Sequence, residues 1–456
     1  MKKKFQKYIL PFCIVFLLFA FLRFYNLERR IEFSWDQEQF STQIREIVRD
    51  NKFTLLGPRV TDDKGFFLAP YFTYLLLPFY LTTNLHPSAL VPFLYVVNTI
   101  FFVMASFTIS QISNVRFALF FLILWAINPL LVHYDTKPWW PVLIPLGVII
   151  IWFLIYKIYE KNELKYWLLL GITLGIFMNM HFQFIFICAF AFIFLIIHYS
   201  KKIKQVYLKM IFLITSFALI FIPLLLFDLR HDYLNTRLFI NYFTSRALDD
   251  SIIVFSWKPV LTNLILPLTG IKNPNISIIF LILMGGGLLY LIKIRKNFQR
   301  TFYISTLILL ILTVLGFSFY GSRPSEYYFV YLYPFIYIFI ADILISSKNT
   351  FVSIFAIIFL IIINASDLKK SIQDHPGGLY YKDIAVRRIL QYTKDKKVNI
   401  AFDMPPGNDG YYYFMKYYRI ESSQNPSDPT ILLRIPPKND DIRIKSIGLH
   451  IPKELK

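Results

Sequence analysis

Cysteine is nearly absent from this sequence: there are two in 456 residues, Cys13 and Cys188, both inside apolar runs. A thiol so placed acts as a small hydrophobe, so neither a disulfide nor a thiolate metal site is expected. Charge is scarce as well, at 17% of residues, and it leans one way: 48 Lys and Arg against 28 Asp and Glu give a net charge of +20. The chain contains no P-loop, no GxGxxG opening a helix, no HExxH and no GxSxG. Nucleotide-driven, zinc-protease and ordinary serine-hydrolase chemistries thereby lose their usual support. Sequence repeats of fixed period and low-complexity tracts are missing too.

Apolar residues are in excess. They make up 56% of the chain and aromatics 19%, and the mean hydropathy is +0.52. A soluble protein of this size has no way to hide that much apolar surface, whereas a bilayer does. Basic residues sit in short clusters between apolar runs rather than on one face, which excludes a nucleic-acid partner and fits a membrane with anionic lipids. The first residues, MKKKFQKYILPFCIVFLLFAFLRF, read as an uncleaved signal anchor, because the apolar run continues past Ala20 and Leu18 is a poor cleavage-site residue.

A hydrocarbon core about 30 Å thick needs about 20 helical residues. Spans are expected near 8–24, 91–110, 115–131, 139–157, 165–180, 182–199, 207–227, 276–293, 301–320, 327–345 and 350–364. The segment 67–83, FFLAPYFTYLLLPFYLT, is apolar but broken by Pro70 and Pro78. If it stays out of the count, Lys2 to Lys7, Arg116, Lys157 to Lys165, Lys201 to Lys209, Lys293 to Arg300 and Lys348 all fall on one side, as the positive-inside rule requires. It is therefore placed as an interfacial or re-entrant helix on the outer side, with the amino terminus in the cytoplasm.

The expected architecture is an all-α polytopic membrane bundle over 1–364, with about eleven transmembrane helices and outer loops at 25–90 and 228–275. An extracytoplasmic α/β lobe over 365–456 follows. In that tail, Ala385, Ile389 and Tyr392 mark a short amphipathic helix. VNIAF at 398–402 and TILLRI at 430–435 read as strands, and PPGNDG at 405–410 as a turn.

Chemistry is sought in the outer loops. Asp36 and Glu38 follow Trp35 near the mouth of the first span, where desolvation by aromatics raises a carboxylate's pKa toward that of a general base. The alternative is a solvated helix start capped by Ser34. Asp62, Asp63 and Lys64 precede the interfacial helix, as a phosphate or divalent-metal site or a plain turn. No cofactor is assigned, and a divalent metal at Asp62 and Asp63 stays open. After a later span, Arg230 and His231 suit a phosphate, unless Arg230 pairs with Asp228 or Asp232. His181 and Arg323 stand at the outer ends of spans and complete the set of candidate substrate contacts with Glu38, Asp63, Lys64, Arg230 and His231.

Taken together, the chain resembles GT-C fold glycosyltransferases, of the kind that includes the protein O-mannosyltransferase (glycosyltransferase 39), aminoarabinose transferase and Rgt-type families. The likeness covers 8–364. It rests on a first span, an outer loop opening with acids, the proline-bearing aromatic helix LAPYFTYLLLPFY and a basic motif after a later span. In those families the first acid of an Asp-Glu pair is the catalytic base, and Asp36 matches it; here Gln37 stands where the Glu would be, and Glu38 comes one residue late. Asp63-Lys64 resembles the acid-Lys pair of the aminoarabinose transferases, whose Lys touches the lipid phosphate. The resemblance implies transfer of a sugar from a polyprenyl-phosphate monosaccharide to an extracytoplasmic acceptor, with Asp36 as base and Lys64, Arg230 and His231 on the leaving phosphate. The rival readings are a polymerase or ligase using a lipid-linked oligosaccharide, and a transporter or flippase. The span interiors are almost free of charge and no paired halves are visible, which disfavours the transporter.

Overall fold

Long runs without charge, punctuated by basic clusters and prolines, fold as helices, because backbone polar groups in hydrocarbon must be satisfied within their own segment. The computed structural model describes residues 2–60, 65–248, 257–269, 273–320, 324–346, 350–393, 397–404, 408–423 and 425–455. Helix α1 (Lys2–Phe24) leads through α2 (Leu27–Arg30) into α3 (Trp35–Asp50) and α4 (Tyr71–Thr82). Then come α5 (Leu90–Ile112), α6 (Val115–Ala126), α7 (Pro129–Asp135), α8 (Ile144–Lys161), α9 (Leu164–Met178) and α10 (Ile185–Tyr199). The second half holds α11 (Ile203–Leu219), α12 (Ile222–Arg230), α13 (Leu234–Leu248), α14 (Trp257–Thr269), α15 (Pro274–Ile294), α16 (Asn297–Ser318), α17 (Tyr333–Ser346) and α18 (Thr350–Ser371).

Every expected span coincides with helix, but two of them are not straight. The run at 115–131 breaks into α6 and α7, bent by 83°, and the run at 207–227 into α11 and α12, bent by 51°. Pro129 and Pro223 open the second helix of each pair, since a proline fits a first turn and not a helix interior. Among the described residues, five segments are long and apolar enough to cross a bilayer alone: Pro87–Ile112, Trp140–Lys161, Phe182–Tyr199, Pro274–Ile294 and Asn297–Ser318. Tyr8–Phe24, Leu164–Met178 and Tyr333–Ser346 are shorter apolar helices. The core is dense with aromatics, Trp125, Trp152 and Trp167 being fully buried, while Ile282, Ile362 and Phe355 are turned outward. Large apolar side chains facing away from the core on so many helices mark a surface made for lipid.

Helix α4 has 12 residues, about 18 Å at 1.5 Å per residue, too short to span. It is anchored instead by its tyrosines: Tyr74 donates to Thr54 O at 2.8 Å, Tyr80 lies 2.6 Å from Ser41 Oγ, and Tyr71 bonds Ile220 O.

The carboxyl-terminal lobe is small and mixed. Helix α19 (Leu379–Thr393) buries Ala385 and Ile389, two residues of the expected stripe. The expected strands are β1 (Asn399–Asp403) and β2 (Thr430–Arg434), paired in parallel. Between them runs α20 (Tyr411–Tyr418), and a hairpin of β3 (Ile442–Ile444) and β4 (Ile447–His450) completes the order β1-β2-β4-β3. The turn expected at 405–410 lies partly outside the described residues.

Candidate active site

Helix α3 starts where Ser34 takes an extended conformation and its N–H donates to Gln37 Oε1 at 2.9 Å. Gln37 is fully buried and its amide donates to Pro138 O at 3.1 Å, joining α3 to the loop that carries Trp139 and Trp140. That loop is held in turn by a buried pair: Arg23 Nε donates to Asp135 Oδ2 at 2.8 Å, and Asn98 donates to the Asp135 carbonyl at 2.8 Å. Lys137 closes the rim with Glu32 at 2.9 Å and lies over the Trp139 ring. The first turn of α3 thus sits in a fixed frame, and Asp36 in it lines a cavity of about 1200 Å³.

The cavity has two unlike ends. Around Asp36 stand Trp35, Gln39, Trp139, Trp140, His181 and Tyr327. The Tyr327 ring packs on Trp139 with centres 4.9 Å apart. His181 lies with its ring 6.1 Å from those of Tyr327 and Tyr328, and burial pushes its pKa below the usual histidine value, leaving it neutral. The other end is apolar, built from Ile185, Phe186 and Ala189 at the start of α10 and Leu312, Leu315 and Gly316 near the end of α16. Phe239 and Phe243 of α13 line the cavity as well, packed on Phe66 and Phe182.

One cation lines the cavity among the described residues, and reading the sequence did not single it out. Arg59 sits on a narrow loop in which Val60 N–H bonds Phe66 O at 2.9 Å and Leu68 N–H bonds Pro58 O at 3.0 Å. The loop closes because Gly57 passes so near Ala69 that a Cβ would stand 2.4 Å from its carbonyl oxygen. Arg59 Nε donates to Gly65 O at 2.8 Å, and the guanidinium lies over the Phe67 ring. A Gly-Pro-Arg string before an interfacial helix was the only available signal.

The other expected contacts divide. Asp63 and Lys64, with Asp62, lie outside the described residues, as does Arg323. Glu38 does not line the cavity; its carboxylate turns to the lobe, accepting Gly410 N–H at 2.8 Å and Tyr413 N–H at 2.5 Å. Arg230 and His231 do not line it either: both are exposed, and His231 stacks on Phe227 with ring centres 4.1 Å apart. The Arg230–Asp228 pairing weighed from sequence is replaced by another use of Asp228, which accepts Asn235 N–H at 2.7 Å and the Thr236 hydroxyl at 2.6 Å to start α13. Asp36 and His181 are the two expected residues that the structure brings together.

For a divalent metal, the cavity's described lining offers one carboxylate, Asp36. Among the described residues the one group of three ligand-type side chains, Asp440, Asp441 and His450, is in the lobe, where Arg434 already binds both acids. Among the described residues neither place suits a catalytic ion, and the expected pair Asp62 and Asp63 lies outside them.

A bundle of apolar helices, a helix too short to span after the first loop, an acid lining the cavity and a trailing α/β lobe make up a GT-C fold. ArnT from Cupriavidus metallidurans bound to undecaprenyl phosphate shares it, with a TM-score of 0.57 at 11% identity over 94% of this chain and 93% of that one. So does the archaeal oligosaccharyltransferase AglB from Archaeoglobus fulgidus in complex with an inhibitory peptide and a dolichol-phosphate, with a TM-score of 0.51 at 14% identity over 93% of this chain and 61% of that one. An Archaeoglobus fulgidus oligosaccharyltransferase in complex with Zn and sulfate matches with a TM-score of 0.50 at 15% identity, over 92% of this chain and 58% of that one. No family model matches the chain, and no curated protein matches its sequence.

Proposed function

We propose that this protein is a membrane glycosyltransferase that moves a sugar from a polyprenyl-phosphate monosaccharide to a hydroxyl or amine presented outside the cell membrane. The observation that carries the reading is the two-ended cavity, with Asp36 at an aromatic mouth and an apolar slot between α10 and α16. In chains of the same fold, ArnT is seen with undecaprenyl phosphate and AglB with dolichol-phosphate. The slot suits a polyprenyl chain, and Trp35 and Tyr327 offer faces on which the slightly positive C–H side of a sugar ring packs. Topology follows the charge distribution, with the amino terminus cytoplasmic and the cavity, second outer loop and lobe on the far side.

The chemistry follows from the two charges in the lining. Asp36 takes the acceptor proton as the acceptor oxygen or nitrogen attacks the anomeric carbon; the bond from that carbon to the phosphate oxygen breaks, and the configuration inverts. The departing phosphate gains negative charge, which the Arg59 guanidinium in the cavity lining stabilises. A phosphate monoester has a second pKa of about 6, so it leaves without a dedicated acid. His181, held neutral, serves as a hydrogen-bonding contact rather than a cation.

Purified Asp36→Asn protein supplied with a radiolabelled polyprenyl-phosphate hexose is the test. Retained donor binding with transfer lost is the expected result, and undiminished transfer removes Asp36 from the mechanism. Labelling an introduced cysteine at position 36 from outside intact cells tests the topology, and access from the cytosolic side alone overturns it.

A further inference from the structure

Glu38 is two residues from Asp36 on α3, and at about 100° per residue the two side chains leave the helix on nearly opposite sides. Asp36 meets the cavity while Glu38 meets the lobe. The two N–H groups that Glu38 accepts belong to the start of α20, where backbone donors lack partners of their own and a carboxylate is favoured by the helix dipole. Gly410 is required there. Its φ is +85°, and a Cβ would stand 2.5 Å from Phe33 O.

Other bonds tie the lobe to the same stretch of chain. Lys382 donates to Phe33 O at 2.7 Å and to Asp409 O at 2.6 Å, spanning the joint between the chain before α3 and the turn before α20. His375 N–H donates to Arg29 O at 2.9 Å and Leu379 N–H to Ile31 O at 2.9 Å. The Phe33 ring packs on Phe414 with centres 5.1 Å apart, and Tyr413 reaches Leu85 O at 2.6 Å. Residues 29–38 are therefore clamped between the lobe on one side and the Pro138–Trp140 loop on the other.

We propose that Glu38 is a positioning residue: through its two bonds to α20, docking of the carboxyl-terminal lobe sets the pitch of the first turn of α3 and so the direction in which Asp36 enters the cavity. This rests on Asp36 acting as the base. The lobe is then part of the catalytic frame although it contributes no described residue to the lining. Glutamine at position 38 keeps one acceptor oxygen but turns an amide donor on the second N–H, so the joint loosens without losing side-chain volume.

Two readouts on the full-length protein in detergent micelles test it. In a background with Cys13→Ala and Cys188→Ala, the Asp36→Cys substitution is alkylated with a water-soluble maleimide, with and without Glu38→Gln. Glu38→Gln is expected to change the alkylation rate by about tenfold, and Lys382→Met, which breaks the neighbouring joint, to change it in the same direction. With Asp36 intact, Glu38→Gln lowers kcat for transfer from a radiolabelled polyprenyl-phosphate hexose by about tenfold and leaves the donor KM within about twofold. Arg434→Gln, which loosens only the lobe's own Arg434–Asp440–Asp441 network, leaves both readouts as they were. An alkylation rate unmoved by Glu38→Gln and Lys382→Met overturns the proposal, as does a rate moved equally by Arg434→Gln. Failure of the base reading is seen separately, as transfer that survives Asp36→Asn while alkylation still responds to position 38.

Discussion

Two segments of this protein look alike in sequence and differ in use. Residues 29–41 and 227–237 each follow an apolar helix, and each mixes acids, cations and aromatics. In the first, capping of α3 is done by Ser34 and Gln37, contact with the lobe is done by Glu38, and Asp36 lines the cavity. In the second, the acid is consumed: Asp228, 6% exposed, starts α13, and Arg230 and His231 stand outside the cavity. A charge at the end of a span acquires a chemical meaning from what else has already met the backbone's needs around it.

The contrast is tested most severely at Asp36. Asp36→Asn keeps the size of the side chain and removes the base, so turnover is expected to fall about 10²- to 10⁴-fold with donor binding retained. Second comes the cation that the first loop brings to the cavity. Arg59→Gln removes a charged donor from the leaving phosphate, and donor affinity in a lipid-binding assay is expected to weaken by about tenfold to a hundredfold. Unchanged affinity would return the phosphate role to the cations of the second segment. A smaller effect is expected in the apolar end. A Cβ on Gly316 would stand 2.9 Å from Phe186 Cζ, the tip of a ring that can swing. Gly316→Val therefore moves Phe186 into the slot, raising the donor KM by about two- to fivefold while thermal stability changes little. A KM for the donor that stays at the wild-type value would take the slot out of lipid binding.

Much of the bundle was legible because apolar length and charge-free composition are properties of the chain itself. The bends were not. Asn128-Pro129 and Phe221-Pro223 sit inside unbroken apolar runs, and a proline there reads as tolerable until neighbouring helices show which way the chain turns. In the lobe, β1 and β2 announced themselves by β-branched and aliphatic runs, whereas the three-residue β3 carries Arg443 in its centre and is a strand only because β4 pairs with it. Within the site, Asp36 is legible because it stands among aromatics just past the first span and matches the first acid of the GT-C pair. Glu38 was grouped with it by proximity, although helical phase from Ser34 onward separates the two by about 200°. Arg59 was missed because its placement depends on the approach of Gly57 to Ala69, a contact between backbones that no spacing encodes.

The smallest effect is the one that decides the comparison. Arg230→Ala and His231→Ala remove the two most phosphate-like groups of the second segment, yet both side chains are exposed and neither lines the cavity. His231 Nδ1 lies 2.8 Å from the Phe227 carbonyl, which can only accept, so its proton is committed to the backbone of its own helix. Surface substitutions of this kind stay within about 0.5 kcal/mol, so donor affinity and turnover in both variants are expected to remain within about twofold of wild type. A loss of tenfold or so in donor binding for either would mean that α12 and α13 swing to bring those cations over the cavity during turnover. Measuring the same variants with donor absent, by alkylation of a Thr244→Cys substitution on the cavity side of α13, then separates a moving helix from a fixed one.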